Sequence, residues 1–237
     1  MLRVENVTKK YGKLEVLHNF NLQIEVGEVV GLVGPNGVGK TTLIEVICGI
    51  SRIQSGDVLI NNDSILRPPY SGRYQLGCCF QESIFDRFFN IYDTVLHNAM
   101  YHGLSYRLAK QATDNILRIT KLFEKRKCLG SELSGGMKRR FQLAISLVHN
   151  PNILILDEPT AGIDLGLVDE IHEIIKNFIC QKDKMVLMTS HNIRDICQLC
   201  SKIIFLKNGS ICKKYVGIKN ATVVEEAYRE VYLQHER

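Results

Sequence analysis

Residues 29–47 read "VVGLVGPNGVGKTTLIEVI". Val29 to Val33 form an apolar run of strand length, the pattern of a strand covered on both faces. From Lys40 onward the apolar residues fall at helical spacing. Between them, "GPNGVGKTT" at 34–42 fits G-x-x-x-x-G-K-[ST] in the strand-then-helix setting that gives this pattern meaning. Gly34, Gly37 and Gly39 let the loop curl so that its N–H groups face phosphate oxygens. Lys40 is then expected to reach the β- and γ-phosphates of a nucleotide, and Thr41 to offer its hydroxyl to Mg²⁺. Thr42 adds a further phosphate contact, and Pro35, Asn36 and Val38 complete the nucleotide loop.

Outward from this loop, "LRVENV" (2–7) and "NLQIEV" (21–26) alternate like half-buried strands, and "DVLI" (57–60) and "YQLGCCF" (74–80) read as further strands. From Ile91 to Phe123 the strand signals vanish and apolar residues take helical spacing. Strands and helices alternate again from "NILILD" (152–157) through "KMVLMTS" (184–190) to "KIIFLK" (202–207). Such alternation predicts an α/β fold with a largely parallel sheet and helices on its faces. The expected organisation is a single 1–237 domain. Its core covers about 1–81 and 151–215, a helical subdomain about 82–150, and a terminal amphipathic helix "ATVVEEAYREVYLQH" spans 221–235.

The chain has 237 residues, 45% hydrophobic and 23% charged, ordinary values for a globular protein that buries a sizeable core. No run of about 18 apolar residues occurs, so no segment is expected to span a bilayer alone. The polar start "MLRVENVTKKYG" lacks the apolar stretch of a secretory signal, which points to the cytosol and to eight reduced cysteines rather than a disulfide scaffold. Cys197 and Cys200 form a lone C-x-x-C without a second pair at zinc-ribbon spacing. Adjacent Cys78 and Cys79 are expected on opposite faces of a strand, as apolar fillers. The net charge of +5 is uneven: residues 101–150 carry +7, the rest −2. A basic stretch of this kind suits nucleic acid, anionic headgroups or an acidic partner, or is a solvated helix face.

Two acids end the apolar strand "NILILDEP". Strand ends at the carboxyl edge of an open α/β sheet are where ligands bind. Asp157 is placed to hold the Mg²⁺ shell, and Glu158 to polarise a water aimed at the γ-phosphate. His191 follows the strand "KMVLMTS" and reaches the same edge. Gln81 ends "LGCCF", with its amide directed at Mg²⁺ or the attacking water. Tyr11, before Gly12 in an early turn, offers a ring that can stack on adenine. Catalytic candidates are therefore Glu158, His191 and Gln81, and metal candidates Thr41, Gln81 and Asp157.

With these residues in one order, the sequence resembles the ATPase subunit of ABC transporters over about residues 1–215. "GPNGVGKTT" resembles the Walker A loop, "ILILDEP" the Walker B strand, and "LSGG" (133–136) the family signature that P-loop kinases and GTPases lack. Gln81 falls at the Q-loop, "AGID" (161–164) with Asp164 at the D-loop, His191 at the switch histidine and Tyr11 at the adenine-stacking position. The resemblance implies a P-loop NTPase sheet core with an antiparallel β subdomain and an inserted α-helical subdomain. It also implies ATP and Mg²⁺ as ligands, and two subunits packed head to tail, a homodimer. Ser134, Gly135 and Gly136 would contact the γ-phosphate held by Lys40 of the partner subunit.

"LSGGMKRR" is similar to versions in the exporter branch that moves drugs, antibiotics, peptides and polysaccharides. Met137 stands where the signature usually has Gln, which removes a polar contact and leaves the glycine N–H groups free. Leu165 replaces a common proline after the D-loop. The implied partners are separate transmembrane permease subunits that hold the protein on the cytoplasmic face of a membrane, with no nucleic acid. Phe85, Phe88, Phe89 and Ile91 are candidates to line a groove for a permease helix. The competing reading is a non-transport ABC ATPase acting on nucleic acid or in macromolecular assembly.

Overall fold

The fold is given by a computed structural model that describes residues 1–81 and 88–233. Two sheets face each other across a helix. The first is antiparallel, with strand order β2-β1-β4-β5: β1 (Leu2–Tyr11), β2 (Leu14–Ile24), β4 (Ser55–Ile60) and β5 (Asp63–Ser64). Leu2 pairs with Ile24, Val4 with Leu22 and Tyr11 with Leu14.

The second sheet has order β10-β9-β3-β8-β7-β6: β10 (Ser210–Val216), β9 (Lys202–Lys207), β3 (Val29–Val33), β8 (Met185–Thr189), β7 (Ile153–Leu156) and β6 (Leu76–Cys79). All neighbours are parallel except β10, which returns antiparallel on β9. The continuous apolar sequences of β3, β7 and β8 are buried at every residue, as strands covered on both faces must be. Leu32 pairs with Thr189, Leu156 with Met188 and Cys79 with Leu156. That register brings the carboxyl ends of β3, β8, β7 and β6 to one edge, so Gly34, His191, Asp157 and Gln81 all follow strands ending there.

Helix α1 (Lys40–Ile47) lies between the sheets, and its Leu43 and Ile44 pack with Leu2, Ile24, Ile155 and Leu187. Each such buried aliphatic side chain contributes roughly 2 kcal/mol. On the other face of the parallel sheet, α5 (Leu165–Ile179), α6 (Ile193–Leu199) and α7 (Ala221–Tyr232) bury Ile171, Ile175, Ile196 and Val224. A third cluster joins α2 (Ile91–Tyr101), α3 (Tyr106–Ile119) and α4 (Gly135–Leu147) through Val95, Leu117 and Phe141.

Ile91 is fully buried in that third cluster, so it lines no surface groove: as the first residue of α2 it points into the helix packing. Phe88 and Phe89 are exposed, while Phe85 lies outside the described residues. Cys78 and Cys79 do face opposite sides of β6, Cys78 against the α1 cluster and Cys79 in the α5–α6 cluster. Among the described residues no helix is long and apolar enough to cross a membrane.

Candidate functional site

The glycine loop curls around the start of α1. Gly39 caps that helix at φ 106°, a left-handed conformation that disfavours any side chain, and no side-chain group caps the helix amides. Those amides and the helix dipole therefore stay available to an anion. Lys40 is buried and its Nζ donates to the Gly34 carbonyl at 2.6 Å and the Pro35 carbonyl at 3.0 Å. Burial holds its pKa below the ordinary lysine value, and Glu158 and Asp157 pull it back up. Val38 packs instead against the α1 cluster.

A cavity of about 200 Å³ opens over this loop. Asn36, Gly37, Gly39, Lys40, Thr41 and Thr42 line one side, and Gln81, Asp157, Glu158 and His191 the other. The sequence reading missed its remaining wall residue, Val16, because an apolar residue in an early strand carries no signature.

Asp157 and Glu158, which directly follow β7, are both buried. The Asp157 carboxylate accepts from the Thr41 hydroxyl at 3.1 Å and from the Thr189 hydroxyl at 2.6 Å. Thr189 in turn accepts from the Glu158 N–H at 3.0 Å, so the last residue of β8 ties the two acids together. Its signal in the sequence was a hydroxyl closing an otherwise apolar strand. Glu158 sits at φ 52°, a strained setting for a non-glycine residue. Its Oε2 accepts from the His191 N–H at 3.1 Å, and the His191 Nε2 stands 3.2 Å from Oε1. Oε1 is buried and accepts no aligned hydrogen bond among the described residues. Burial raises the Glu158 pKa against the opposing pull of His191 and Lys40. A half-exposed imidazole beside a buried, proton-avid carboxylate is an arrangement that can take a proton from a bound water.

Thr41, Asp157 and Gln81 present only oxygen ligands from hydroxyl, carboxylate and amide, the donor set that suits Mg²⁺. Two buried carboxylates share the single ammonium of Lys40, so the cavity also has the negative charge to hold a dication.

The start of α4 forms a second face. Ser134 caps the helix through its Oγ, which accepts from the Met137 N–H at 3.4 Å, and Ser134 and Gly135 are exposed. A Cβ on Gly136 would overlap a terminal methyl of Leu167 in α5, so a side chain there needs the Leu167 side chain to move aside. A cavity of about 420 Å³ lies beside it, lined by Gly135, Lys138, Gln81 and the D-loop residues Ala161, Gly162 and Ile163. Asp164 is exposed, and its Oδ1 caps α5 by accepting from the Leu167 N–H at 3.0 Å.

The basic triplet after the signature is not one solvated face. Arg139 is buried, and its guanidinium donates to the carbonyls of Pro159 (2.7 Å), Phe80 (3.0 Å), Asp157 (3.0 Å) and Glu158, and to the Gln142 side chain (2.9 Å). It pins α4 to the chain on either side of the two acids. A planar five-donor group is what so many converging carbonyls require. Arg140 and Lys121 instead meet Glu170 of α5, at 3.3 and 2.8 Å. Behind the acids, the buried Thr160 hydroxyl donates to Asp195 at 2.5 Å, and His172 stands 3.4 Å from the same carboxylate.

Tyr11 ends β1 with its ring under Lys9 Nζ at 4.3 Å and its hydroxyl 3.2 Å from Glu45 and 3.3 Å from Ser51. It stands outside the walls of the loop cavity.

The sequence model of the family described as "ABC transporter" matches residues 17–161, more than half of the chain. The chain belongs to this family. It is 32% identical over 204 residues to the Nod factor export ATP-binding protein I of Burkholderia orbicola, covering 86% of this chain and 67% of that protein. It is 30% identical over 236 residues to the lipopolysaccharide export system ATP-binding protein LptB of Haemophilus influenzae, covering 98% and 97%. A dimeric ATP-binding cassette solved in a post-hydrolysis state with ADP and Pi superposes with a TM-score of 0.82 at 26% identity, over 91% of this chain and 98% of that one. This ABC protein is an ATP-binding ATPase of a type that dimerises and works with transmembrane partners.

Proposed function

We propose that this ABC ATPase powers an exporter by closing and opening a head-to-tail homodimer around ATP. The observation that carries the reading is the separation of two anion-binding helix starts. The cavity over α1 is lined by none of Ser134, Gly135 or Gly136, while Ser134 and Gly135 stand exposed at the start of α4 and Gly136 half-buried behind them. One chain thus offers two incomplete halves, and a second copy turned about a twofold axis completes both. ATP charge is neutralised only when both halves close on it.

In this reading the α1 amides, Lys40 and Thr42 bind the phosphates, and Thr41, Asp157 and Gln81 hold Mg²⁺. When bound, that ion supplies charge neutralisation across the β- and γ-phosphates. Glu158 takes the proton of the attacking water through Oε1, which has no aligned hydrogen bond among the described residues. His191 fixes the Glu158 carboxylate and reaches the γ-phosphate, Asp164 shapes the D-loop between the subunits, and Tyr11 stacks on adenine after its ring turns from Lys9. Loss of the γ-phosphate removes the bridge and the dimer opens.

Export as the direction rests on "LSGGMKRR" and on relatives named for Nod factor and lipopolysaccharide export. The protein then works at the cytoplasmic face of a membrane, docked on permease subunits beside exposed Phe88 and Phe89, without nucleic acid. The test is complementation. Lys40→Ala and Ser134→Arg are each expected to abolish ATP hydrolysis alone. Mixed equally, they form heterodimers with one intact site and recover at most about a quarter of wild-type activity. Normal hydrolysis by either variant alone overturns the shared site.

A further inference from the structure

Cys48 and Cys78 meet where the α1 end abuts β6. Cys48 is the residue that closes α1, Cys78 lies in β6, and their sulfurs are 3.1 Å apart. That is roughly 1 Å more than a disulfide bond. Both thiols are half-buried and lie in the wall of a cavity of about 220 Å³, together with Asn98, His102, His149 and Arg73. The wall is polar and under-satisfied: Asn98 Oδ1 and the Nδ1 atoms of His102 and His149 are buried without a hydrogen-bond partner among the described residues. His149 Nε2 lies 3.0 Å from the Leu76 carbonyl, which can only accept. Its proton therefore sits on Nε2, and Nδ1 keeps a bare lone pair. Burial holds this imidazole down to about 4, so it is neutral. The described residues contain no cluster of three or more donors at metal-binding spacing, so the thiols themselves carry the chemistry of this site.

We propose that Cys48 and Cys78 form a dithiol modification site, oxidised by hydrogen peroxide entering this cavity to an intramolecular disulfide. The hydrogen bond to Cys78, and then burial, push the Cys48 thiol well up. Either thiol can donate its proton across this contact, so the sulfur that accepts it, here taken as Cys78, is the one left free to attack. The Cys78 sulfur attacks one peroxide oxygen, the O–O bond breaks, and the departing hydroxide takes the Cys78 proton to form water. This leaves a sulfenic acid on Cys78. The Cys48 sulfur then attacks the Cys78 sulfur, the S–OH bond breaks, and that hydroxide leaves as water with the Cys48 proton. Two thiols are oxidised to one disulfide, and one peroxide is reduced to two waters. An excess of a small thiol reverses the bond by exchange. In reducing compartments, disulfides of this reversible kind form only as transient species.

Among the described residues, no other pair of cysteine sulfurs stands in hydrogen-bond contact. Cys79, the next residue, is buried and pushed up to about 11, and Cys180 and Cys212 are exposed. The test uses the full wild-type chain, reduced, treated with excess hydrogen peroxide, alkylated and digested without reduction. Mass spectrometry is expected to find a Cys48–Cys78 linked peptide pair two hydrogens lighter than its parts, removed by dithiothreitol. In Cys78→Ser the pair is absent and Cys48 is alkylated. Cys48 and Cys78 both still alkylatable after Cys180 and Cys212 have oxidised would overturn the proposal, as would sulfinic acid on Cys78 beside a reduced Cys48. The wild-type measurement decides the matter even where the variant folds poorly.

Discussion

Two helices of this protein begin with glycine next to an anion-binding geometry, and they differ in what surrounds the first turn. The α1 start is enclosed: Lys40 is buried and bonded to the carbonyls of its own loop, and two buried carboxylates face it. The α4 start is open: Ser134 and Gly135 face outward, with only a Ser134 cap on the Met137 amide. Enclosure supplies the electrostatics and the proton acceptor for phosphoryl transfer. Openness leaves donors for something that arrives from outside. The same helix physics thus gives a site with chemistry and a surface without it, and the difference is made by the strand ends packed around α1.

The comparison breaks most sharply at Glu158. Glu158→Gln keeps the shape of the enclosed half but removes its proton acceptor. Turnover is expected to fall by roughly 10²–10⁴-fold, with ATP binding retained and a stable ATP-bound dimer visible by gel filtration. Wild-type turnover would remove Glu158 from its role. The same variant reports on charge. Because burial raises the Glu158 pKa in the fold, the unfolded chain ionises this carboxyl more readily, and the nucleotide-free fold is penalised at pH values above the ordinary 4.5. Gln escapes that penalty. Its thermal-stability gain over wild type is therefore expected at pH 7 to 8 and should vanish as the pH falls below 4.5. A gain independent of pH would place its origin in packing instead.

Arg139 joins the two regions, so it tests whether they are mechanically one. Arg139→Met fills similar space but removes the guanidinium from the buried carbonyls of Asp157 and Pro159, while the Phe80 and Glu158 carbonyls keep the Gln142 amide and the Ala161 N–H. The expected cost is about 3 kcal/mol, or a fall of roughly 6–12 °C in melting temperature for a chain of this length. A loss confined to activity, with melting unchanged, would show that the pin positions the acids without holding the fold.

Arg139 also marks where sequence reading ran out. The glycine loop, the apolar strands and the acids following β7 were legible because their chemistry is local: spacing along the chain determines it. Strand register then carried Gln81 and His191 to the same edge as the acids. The basic triplet was not legible in this way. Charge predicts solvent, and only the carbonyls arriving from β6 and β7, some 60 and 18 residues away, reverse that for Arg139. Ile91 failed for the opposite reason: an apolar residue beside exposed phenylalanines reads as surface until α3 and α4 are packed against it. Val16 carries no pattern at all, Thr189 only a hydroxyl closing an apolar strand, and both gain their places from the fold.

Tyr232 offers the smallest and most specific test. It sits at the end of α7, beyond the residues matched by the family model, yet its hydroxyl lies 2.6 Å from the Leu206 carbonyl and 3.1 Å from the Val33 carbonyl. Val33 directly precedes Gly34, so the terminal helix reaches the enclosed half from behind. The ring is held independently, stacked on Phe205 with centroids 6.3 Å apart and against Tyr228 at 4.7 Å. Tyr232→Phe therefore removes the hydroxyl while the packing stays. The expected loss is about 1 kcal/mol, seen as a fall of roughly 2–4 °C in melting temperature. The α4 half has no link to this hydroxyl, so the activity recovered by mixing Lys40→Ala with Ser134→Arg should be unchanged when both carry Tyr232→Phe. An unchanged melting temperature would mean that the two carbonyls find other donors, and that α7 supports the enclosed half by its apolar face alone.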